Sequence, residues 1–261
     1  AFWRSPAYTM LPSSATAVTL LLKAVYLAQS GFAILGETAT IVIDYYSDSC
    51  TGDRCLFNGV VDNALLHRPG RFYVLCSHGH ADHFNPVVLS WKDIRPDIVY
   101  LFSYDLLNNE QTTAGDAIYL KQGHTYADET LQLCAFGSTD IGISFVLKLE
   151  GKTLFHAGDL NNWHWNEEVP PEEAAGYEAA YLAELEKIST AYPKIEAAFF
   201  PVDPRLGKDY MRGAQQFVDA IDVACFIPMH FGADFSKGNA FAPFTPHRFV
   251  RLERRGDSFL L

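Results

Sequence analysis

The sequence lacks an uninterrupted apolar run that could cross a membrane. Its most membrane-like stretch, residues 17–35, contains Lys23, Gln29 and Ser30, whereas a spanning helix needs about 20 consecutive apolar residues. No basic segment precedes this stretch, as a secretory signal peptide would require. We therefore expect a protein without a membrane partner, located in the cytoplasm.

Basic residues are scarce, and they form no run. The chain has 20 Lys and Arg residues against 31 Asp and Glu residues, which gives a formal net charge of −11. Such a charge repels a phosphate backbone at long range. We therefore expect no nucleic-acid partner and favour a small molecule as the substrate.

Cysteine is also rare, and its spacing is irregular. The five cysteines are Cys50, Cys55, Cys76, Cys134 and Cys225, an odd number that argues against the disulfide framework of a secreted protein. Three of them lie within apolar runs and are predicted to be core residues. Cys50 and Cys55 lie in a predicted loop, where they could pair, bind a metal ion or remain solvated thiols.

The chain does contain ample material for a large core. Hydrophobic residues make up 49% of its 261 positions, and the sequence shows neither an internal repeat nor a linker. We therefore predict a single domain over residues 1–261, of which residues 1–16 form an N-terminal extension. Aromatic residues in this extension leave open whether it packs on its own domain or on a neighbouring subunit of a homo-oligomer.

Short apolar runs rich in β-branched and aromatic residues recur along the chain and predict strands. These runs cover residues 19–26, 38–44, 72–77, 98–103, 131–136, 143–149, 152–157, 197–202 and 224–229. Helical patterns cover residues 86–93, 171–189 and 211–221. Because strands follow one another in the first half and helices separate the later ones, we predict an α/β protein. Its two mixed sheets would pack face to face with helices outside, as a four-layer αββα sandwich.

The strongest chemical signal is a cluster of histidines between a predicted strand and a predicted helix. The cluster contains His78, His80, Asp82 and His83, and imidazole and carboxylate groups are ligands that suit Zn²⁺ and related ions. His78 and His80 can project together from an extended segment, since alternate residues face the same side. Four candidate ligands in one turn are too many for a single tetrahedral ion, so we expect a site for one or two metal ions.

The pattern His-x-His-x-Asp-His resembles the hallmark of the metallo-β-lactamase superfamily. Three further motifs occur in that superfamily's order, each at the end of a predicted strand, and they supply Asp44, Asp159 and His230. The resemblance implies that Asp159 and His230 join the cluster as metal ligands and that Asp44 orients the metal-binding loop through hydrogen bonds. The Gly-Asp pair at 158–159 and the Pro-Met-His-Phe-Gly ending at 228–232 most resemble the ascorbate-6-phosphate-lactonase-like branch.

One element of the family pattern is missing. The superfamily usually supplies a third histidine to the first metal position, but residues 135–140 read Ala-Phe-Gly-Ser-Thr-Asp. Asp140 could replace it as an oxygen ligand and would favour a harder ion such as Mn²⁺. His156 or His164 could reach the position instead, or the position is weakened or vacant. Zn²⁺ is the expected ion, with Mn²⁺ and Fe²⁺ as alternatives.

A site of this kind is expected to activate water. A divalent ion lowers the pKa of bound water, so hydroxide becomes available at neutral pH. The resemblance implies hydrolysis of an ester-like bond, in a phosphoester, a lactone or a thioester of a small, anionic molecule. We expect Asp82 to act in catalysis by holding the hydroxide, and His164 to contact the leaving group.

Three residues are predicted to bind the substrate because they lie beside the metal motifs in the sequence. Trp163 belongs to an aromatic segment behind the third motif, and Tyr45 follows Asp44 directly. Arg205 follows another predicted strand, where it would bind an anionic group of the substrate bidentately or simply pair with Asp203.

Two other classes of function remain open. The missing histidine is also compatible with a non-catalytic metal-binding domain of the same fold. A di-iron redox protein is the second alternative. Relatives of that type usually carry a flavin partner domain and a glutamate where this chain has His80, and neither feature is present in this sequence.

Overall fold

The computed structural model of the chain describes residues 21–245 and 247–261. The predicted N-terminal extension, and any subunit contact through it, lie outside these residues. Within the described ranges, 16 strands and six α-helices follow one another along the chain.

The first sheet is built from the first half of the chain and is completed by the last strand. Its seven strands are β1 (Lys23–Ala28), β2 (Gly31–Leu35), β3 (Ala39–Ile43), β4 (Arg71–Cys76), β5 (Val99–Ser103), β6 (Ile118–Leu120) and β16 (Ser258–Leu260). They lie in the order β16-β1-β2-β3-β4-β5-β6. Pairing is antiparallel from β16 to β3 and parallel from β3 to β6. The loops that follow β3 and β4 therefore leave the sheet at the same edge.

The second sheet is built from the second half of the chain. Its seven strands are β7 (Thr125–Ala127), β8 (Leu131–Phe136), β9 (Ser144–Leu149), β10 (Lys152–His156), β12 (Ala197–Pro201), β14 (Cys225–Met229) and β15 (Arg248–Phe249). They lie in the order β15-β14-β12-β10-β9-β8-β7, and β11 (Lys194–Ile195) pairs separately with β13 (Asp222–Val223). Because β10, β12 and β14 are parallel neighbours, the segments that follow them also meet at one edge.

The helices lie between the strands of both halves. They are α1 (Asn63–Leu66), α2 (Val87–Ser90), α3 (Tyr104–Asn108), α4 (Pro171–Ala191), α5 (Arg212–Ala220) and α6 (Phe235–Asn239), with 3-10 turns at Leu56–Asn58, Trp91–Asp93, Pro204–Asp209 and Ala242–Phe244. The long helix α4 starts with Pro171, whose fixed φ suits a first turn, and with two glutamates that favour the positive end of the helix dipole. No helix in the described part of the chain is both long and apolar enough to cross a membrane.

Alternating side chains explain how the sheets are covered on both faces. In β3, Ile41 and Ile43 belong to the core between the sheets, whereas Val42 belongs to a second cluster under α1 and α2. On the opposite side of the molecule, Tyr181 of α4 and Phe217 of α5 are fully buried against the second sheet. The predicted four-layer sandwich of two mixed sheets with helices outside is therefore confirmed.

Candidate metal centre

The histidine cluster occupies the turn that follows β4. Gly79, at the centre of this turn, donates its backbone N–H to Asp105 Oδ2 (2.7 Å), and its carbonyl oxygen accepts from Gln111 Nε2 (2.7 Å). Asp105 belongs to α3, and Gln111 follows that helix. These two bonds fix the backbone from which the candidate ligands project.

Four ligand-type side chains meet at a first position. They are His78, His80, Asp140 and Asp159, and their ligand atoms all lie within 4.8 Å of one another. His80 Nδ1 is 3.5 Å from Asp140 Oδ2, and His78 Nε2 is 3.4 Å from Asp159 Oδ2. Asp140 thus joins the two histidines that lack their usual third partner.

Three further side chains meet at a second position beside the first. They are Asp82, His83 and His230, again with ligand atoms within 4.8 Å of one another. Asp159 Oδ1 lies 3.0 Å from His83 Nε2 and 3.3 Å from His230 Nε2. Since the other oxygen of Asp159 faces His78, this single carboxylate connects both positions.

The donor atoms at the second position fit a metal ion. His83 Nε2, His230 Nε2 and Asp159 Oδ1 are buried and have no hydrogen-bond partner in the described residues. Buried polar atoms of this kind are rare in folded proteins and call for an explanation. Imidazole nitrogens and carboxylate oxygens are the ligands that Zn²⁺ and similar ions take, so a shared ion explains all three atoms together.

Neighbouring carboxylates set the direction in which the histidines bind. His83 donates its Nδ1–H to Asp44 Oδ2 (2.8 Å), and His230 donates its Nδ1–H to Asp203 Oδ2 (2.9 Å). Asp44 also accepts from the backbone N–H and the hydroxyl of Ser77, each at 2.7 Å. In its neutral form, each imidazole therefore presents an unprotonated Nε2 to the centre, which is how carboxylate partners prepare histidine ligands.

Comparison with known sequences finds distant relatives. None of the established family profiles matches the sequence. A UPF0173 metal-dependent hydrolase of Desulfitobacterium hafniense is 23% identical over 219 residues, which cover 77% of this chain and 79% of the relative. A second UPF0173 metal-dependent hydrolase, from Pyrococcus furiosus, is 24% identical over 172 residues, which cover 60% of this chain and 65% of the relative.

Solved structures share the architecture. Igni18, a metallo hydrolase from Ignicoccus hospitalis, is similar with a TM-score of 0.63 at 15% identity, over 92% of this chain and 98% of Igni18. YhfI from Bacillus subtilis, a metallo-β-lactamase fold protein, is similar with a TM-score of 0.62 at 9% identity, over 93% of this chain and all of YhfI (100%). This chain has the metallo-β-lactamase fold.

The fold expected from the order of motifs is thereby confirmed, and both sequence relatives carry the name metal-dependent hydrolase. The narrower resemblance to the lactonase-like branch stays a prediction. CmlA, a diiron β-hydroxylase from Streptomyces venezuelae, has the same fold, with a TM-score of 0.60 at 14% identity over 94% of this chain and 54% of CmlA. The metallo-β-lactamase fold alone therefore does not separate hydrolysis from redox chemistry.

The carboxylates of this site favour positive charge at its centre. Burial lowers the pKa of His83, but Asp159 and Asp44 outweigh this effect and raise that pKa to about 10. The pKa of His230 is likewise raised to about 9, by Asp159 and Asp203 against the effect of burial. The same attraction holds the pKa of Asp159 well below its usual value, although burial alone would raise it.

Gln29 is a residue of the site that the sequence did not reveal. Its side chain donates from Nε2 to Asp82 Oδ2 (3.2 Å), and its carbonyl oxygen accepts the backbone N–H of His230 (3.1 Å). Gln29 lies in the turn between β1 and β2, far from every motif in the chain. The sequence indicated Asp203 only as a partner for Arg205, although its position just after β12 parallels that of His230 after β14.

His164 and His156 face away from both metal positions. His164 donates from Nε2 to the carbonyl of Asp209 (3.2 Å) and accepts at Nδ1 from the backbone N–H of Asn166 (3.1 Å). His156 donates from Nε2 to the carbonyl of Ser30 (2.8 Å) and accepts at Nδ1 from a backbone N–H. With both nitrogens engaged, His164 cannot contact a leaving group, and this geometry argues against its predicted catalytic role.

Two of the three predicted substrate residues line one cavity. Trp163 and Arg205, together with Asp140 and Asp159, border a cavity of about 280 Å³. Tyr45 lies elsewhere, because its buried ring packs on Trp91 in the outer core and its hydroxyl donates to Asp48 Oδ1 (2.6 Å). The predicted contact between Tyr45 and the substrate is therefore not supported by its position.

Arg205 forms the ion pair that the sequence left as one of two alternatives. Its Nε lies 2.9 Å from Asp203 Oδ2, and its Nη2 lies 2.5 Å from the same oxygen. The arginine side chain nevertheless remains 62% exposed, and it borders the cavity. The pairing and the predicted contact with an anion are thus compatible.

Proposed function

We propose that this protein uses two divalent metal ions to hydrolyse an ester-like bond in a small, anionic molecule. The observation that carries the proposal is the position of Asp159, whose two oxygens face two adjacent groups of ligand-type atoms. Paired ions of this kind are typical of hydrolytic sites. The cavity that adjoins Asp159 has a volume of about 280 Å³, close to the ~300 Å³ at the lower end for small-molecule sites.

The residues present suggest which ions would bind. His83, His230, Asp82 and Asp159 would hold Zn²⁺ at the second position, since this mixture of imidazole and carboxylate suits that ion. Asp140 gives the first position a second carboxylate, which suits Zn²⁺ and also harder ions such as Mn²⁺ or Fe²⁺. When bound, such ions supply Lewis acidity and lower the pKa of a water ligand.

We assign to Asp82 the role of orienting the attacking water. Its side chain is 42% exposed, whereas the histidines of the second position are buried. The imidazole of His230, whose Nε2 lies 3.4 Å from Asp82 Oδ2, holds the pKa of Asp82 below its usual value, so its carboxylate is ionised at neutral pH and can accept a hydrogen bond from the water. The amide of Gln29 holds the same carboxylate in place.

Arg205 is proposed to attract the anionic substrate. Asp203 occupies its Nε and Nη2, while Nη1 has no hydrogen-bond partner among the residues that the structure describes. An arginine held in one direction can donate the remaining N–H groups to a carboxylate or phosphate at little entropic cost.

Metal content and turnover of a matched pair of histidine variants test this function. Wild-type protein should hold about two ions per chain and hydrolyse members of a panel of p-nitrophenyl phosphodiesters, lactones and thioesters. His230→Ala should lose about one ion and lower the rate by more than about 100-fold, since a ligand matters at least as much as the groups that orient it. His247→Ala removes an exposed histidine that pairs with Asp222 and should change neither quantity.

Two results would contradict the proposal. Unchanged metal content in His230→Ala would show that the second position is not a metal site. The absence of turnover with Zn²⁺, Mn²⁺ and Fe²⁺ would favour a non-catalytic domain, and iron-dependent oxygen consumption without hydrolysis would favour the redox alternative.

A further inference from the structure

We infer that the cavity beside Asp159 binds a planar ring of the substrate, and that Trp165 and Tyr177 select for this ring. The inference rests on the proposed function, since it takes the ring to belong to an anionic ester that is cleaved at the metal positions. Besides the residues already described, Thr139, Trp165 and Tyr177 border this cavity.

Two stacked tryptophans border the cavity together with Asp140 and Asp159 of the metal positions. The rings of Trp163 and Trp165 lie nearly parallel, with an interplanar angle of 15° and centroids 6.1 Å apart. Trp163 is anchored, because its Nε1–H donates to the carbonyl of Asp159 (2.8 Å) and its ring contacts the ring of His230 at 5.8 Å. Trp163 is almost fully buried, whereas Trp165 is partly exposed, so Trp165 offers the accessible ring surface.

The backbone is held in a strained conformation at Trp165. Its φ of 44° lies in the left-handed region, which is a genuine outlier for a bulky side chain. The carbonyl of Trp165 accepts from the backbone N–H groups of Glu168 (2.8 Å) and Val169 (3.0 Å). His164 is buried immediately before it, with both ring nitrogens bonded to backbone groups. Strain that the surroundings maintain in this way is typical of ligand-binding segments.

This arrangement gives His164 a different role from the one predicted. The hydrogen bonds of its ring tie the segment to Asp209 and Asn166, while the side chains on either side of it border the cavity. We therefore assign His164 to positioning the two tryptophans, not to chemistry.

Tyr177 and Arg205 supply the remaining features of the cavity. Tyr177 projects from α4 and is 38% exposed, and its hydroxyl donates to Glu173 Oε1 (2.6 Å). Flat aromatic surfaces favour stacking with planar ligands over contacts with branched aliphatic ones. Arg205 adds a positive charge at the same cavity. A ligand that carries both a planar ring and an anionic group matches these features.

A comparison of two phosphonate ligands measures how much a planar ring contributes to binding affinity. Phenylphosphonate and methylphosphonate carry the same anionic group, and neither is hydrolysed, so calorimetric titration of the metal-loaded protein compares the ring with a methyl group. Wild-type protein should bind phenylphosphonate about ten times more tightly. Trp165→Leu and Tyr177→Leu should each reduce this ratio to about two or three, and Trp165→Phe should keep most of it.

Control variants show whether a change in the affinity ratio comes from the aromatic rings of the cavity, from a loss of folding or from a loss of anion binding. Phe244→Leu removes an aromatic ring that is 49% exposed outside the cavity and should leave the ratio unchanged. Arg205→Gln should weaken both phosphonates by a similar factor and keep the ratio. Circular dichroism and metal content establish that each variant is folded and loaded.

The inference and the proposed function fail in different ways. Three results would overturn the aromatic subsite. Wild-type protein could bind the two phosphonates with equal affinity, or it could bind neither. The ratio of the two affinities could also stay unchanged in folded Trp165→Leu. Equal hydrolysis of phenyl and methyl esters alongside equal phosphonate affinities would overturn the subsite and uphold the hydrolase. A preference for phenylphosphonate without turnover of any ester would uphold the subsite and overturn the hydrolase.

Discussion

Asp203 shows how one buried carboxylate serves two neighbours. Its Oδ2 accepts from His230 Nδ1 (2.9 Å) and also from the guanidinium of Arg205. Burial would raise the pKa of Asp203, but the hydrogen bonds from His230 and Arg205 lower it, so the carboxylate stays ionised. It can therefore hold the imidazole of His230 in the orientation that directs Nε2 to the metal.

We expect Asp203→Ala to lower metal affinity at the second position by about 10–100-fold, as is typical when a partner of a histidine ligand is removed. Titration against a chelating dye measures this affinity. Arg205→Ala removes the exposed arginine of this ion pair but keeps the bond between Asp203 and His230, so it should change the affinity by less than about fivefold. Wild-type affinity in Asp203→Ala would show that His230 needs no orienting partner.

The residues that meet at the centre were predictable because metal chemistry restricts them to a few types. Gln29 was not predictable, since it acts through one amide and one carbonyl, and neither carries a signature in the sequence. His164 and Tyr45 were assigned to the site because they adjoin Trp163 and Asp44 in the chain. Tyr45 is instead buried in the outer core and His164 bonds to backbone groups, so adjacency in the chain did not give their side chains a place at the centre.

At the scale of elements, chain reversals after strands deliver the side chains of the site. Asp44, Gly158 and His230 follow β3, β10 and β14, and their φ values are 48°, 54° and 59°. These left-handed residues end the extended conformation abruptly at the edge where the two metal positions lie. A similar conformation at Gly142 brings the loop before β9 against the turn that carries His78.

Two glycine variants separate the cost of the left-handed conformation from the cost of crowding. Gly142 and Gly151 have φ values of 84° and 78°, so alanine at either should destabilise the fold by about 1–2 kcal/mol through the backbone alone. At Gly142 the added Cβ would also lie 2.1 Å from the carbonyl oxygen of Ser77 and 2.5 Å from His78 Cβ, whereas at Gly151 it would meet nothing within 4 Å.

We therefore expect Gly142→Ala to lose roughly 2 kcal/mol more than Gly151→Ala and to bind metal more weakly at the first position. Urea unfolding and metal titration measure the two effects. Equal stability and equal metal affinity in the two variants would mean that the His78 turn adjusts freely to the added methyl group.

Strand composition predicted the central strands because buried strands need β-branched and aromatic side chains. The sequence did not predict strand β2, although all but its last residue are buried. Only two turn residues separate β2 from β1, so the two strands together look like one apolar stretch. The strands β11 and β13 have two residues each. Two residues are too few to show the alternation of apolar and polar side chains that predicts a strand. The helix predicted at 86–93 is divided between α2 and the 3-10 turn at Trp91–Asp93.

For the molecule as a whole, the sequence indicated two packed sheets but not how they are joined. Asp128, just after β7, links them: Tyr73 of the first sheet and Tyr126 of the second donate their hydroxyls to its Oδ2, at 2.8 and 2.7 Å. The backbone N–H groups of Thr130 and Leu131 donate to its Oδ1, each at 2.8 Å. A convergence of residues so distant in the chain depends on sheet packing, which no local pattern encodes.

This junction should contribute to stability in a pH-dependent way. Burial would raise the pKa of Asp128, but the hydrogen bonds from the Leu131 and Thr130 amides and from the two tyrosines outweigh it and lower the pKa. A carboxyl whose pKa is lower in the folded state stabilises the fold above its unfolded pKa of about 3.9. That contribution disappears as the pH falls from this value through the folded pKa.

We expect Asp128→Asn to reduce the free energy of unfolding by about 2 kcal/mol at pH 7, the range for hydrogen bonds to a charged group. The difference from wild type should shrink at pH 3, because the Asp128 carboxyl of the unfolded wild-type chain is mostly protonated there, whereas that of the folded protein binds its proton only at lower pH. Urea unfolding at both pH values measures it. Asp97→Asn, whose side chain is 58% exposed and pairs with Arg95, should change stability by less than about 1 kcal/mol. A loss in Asp128→Asn that is the same at both pH values would mean that the carboxylate charge does not hold the sheets together.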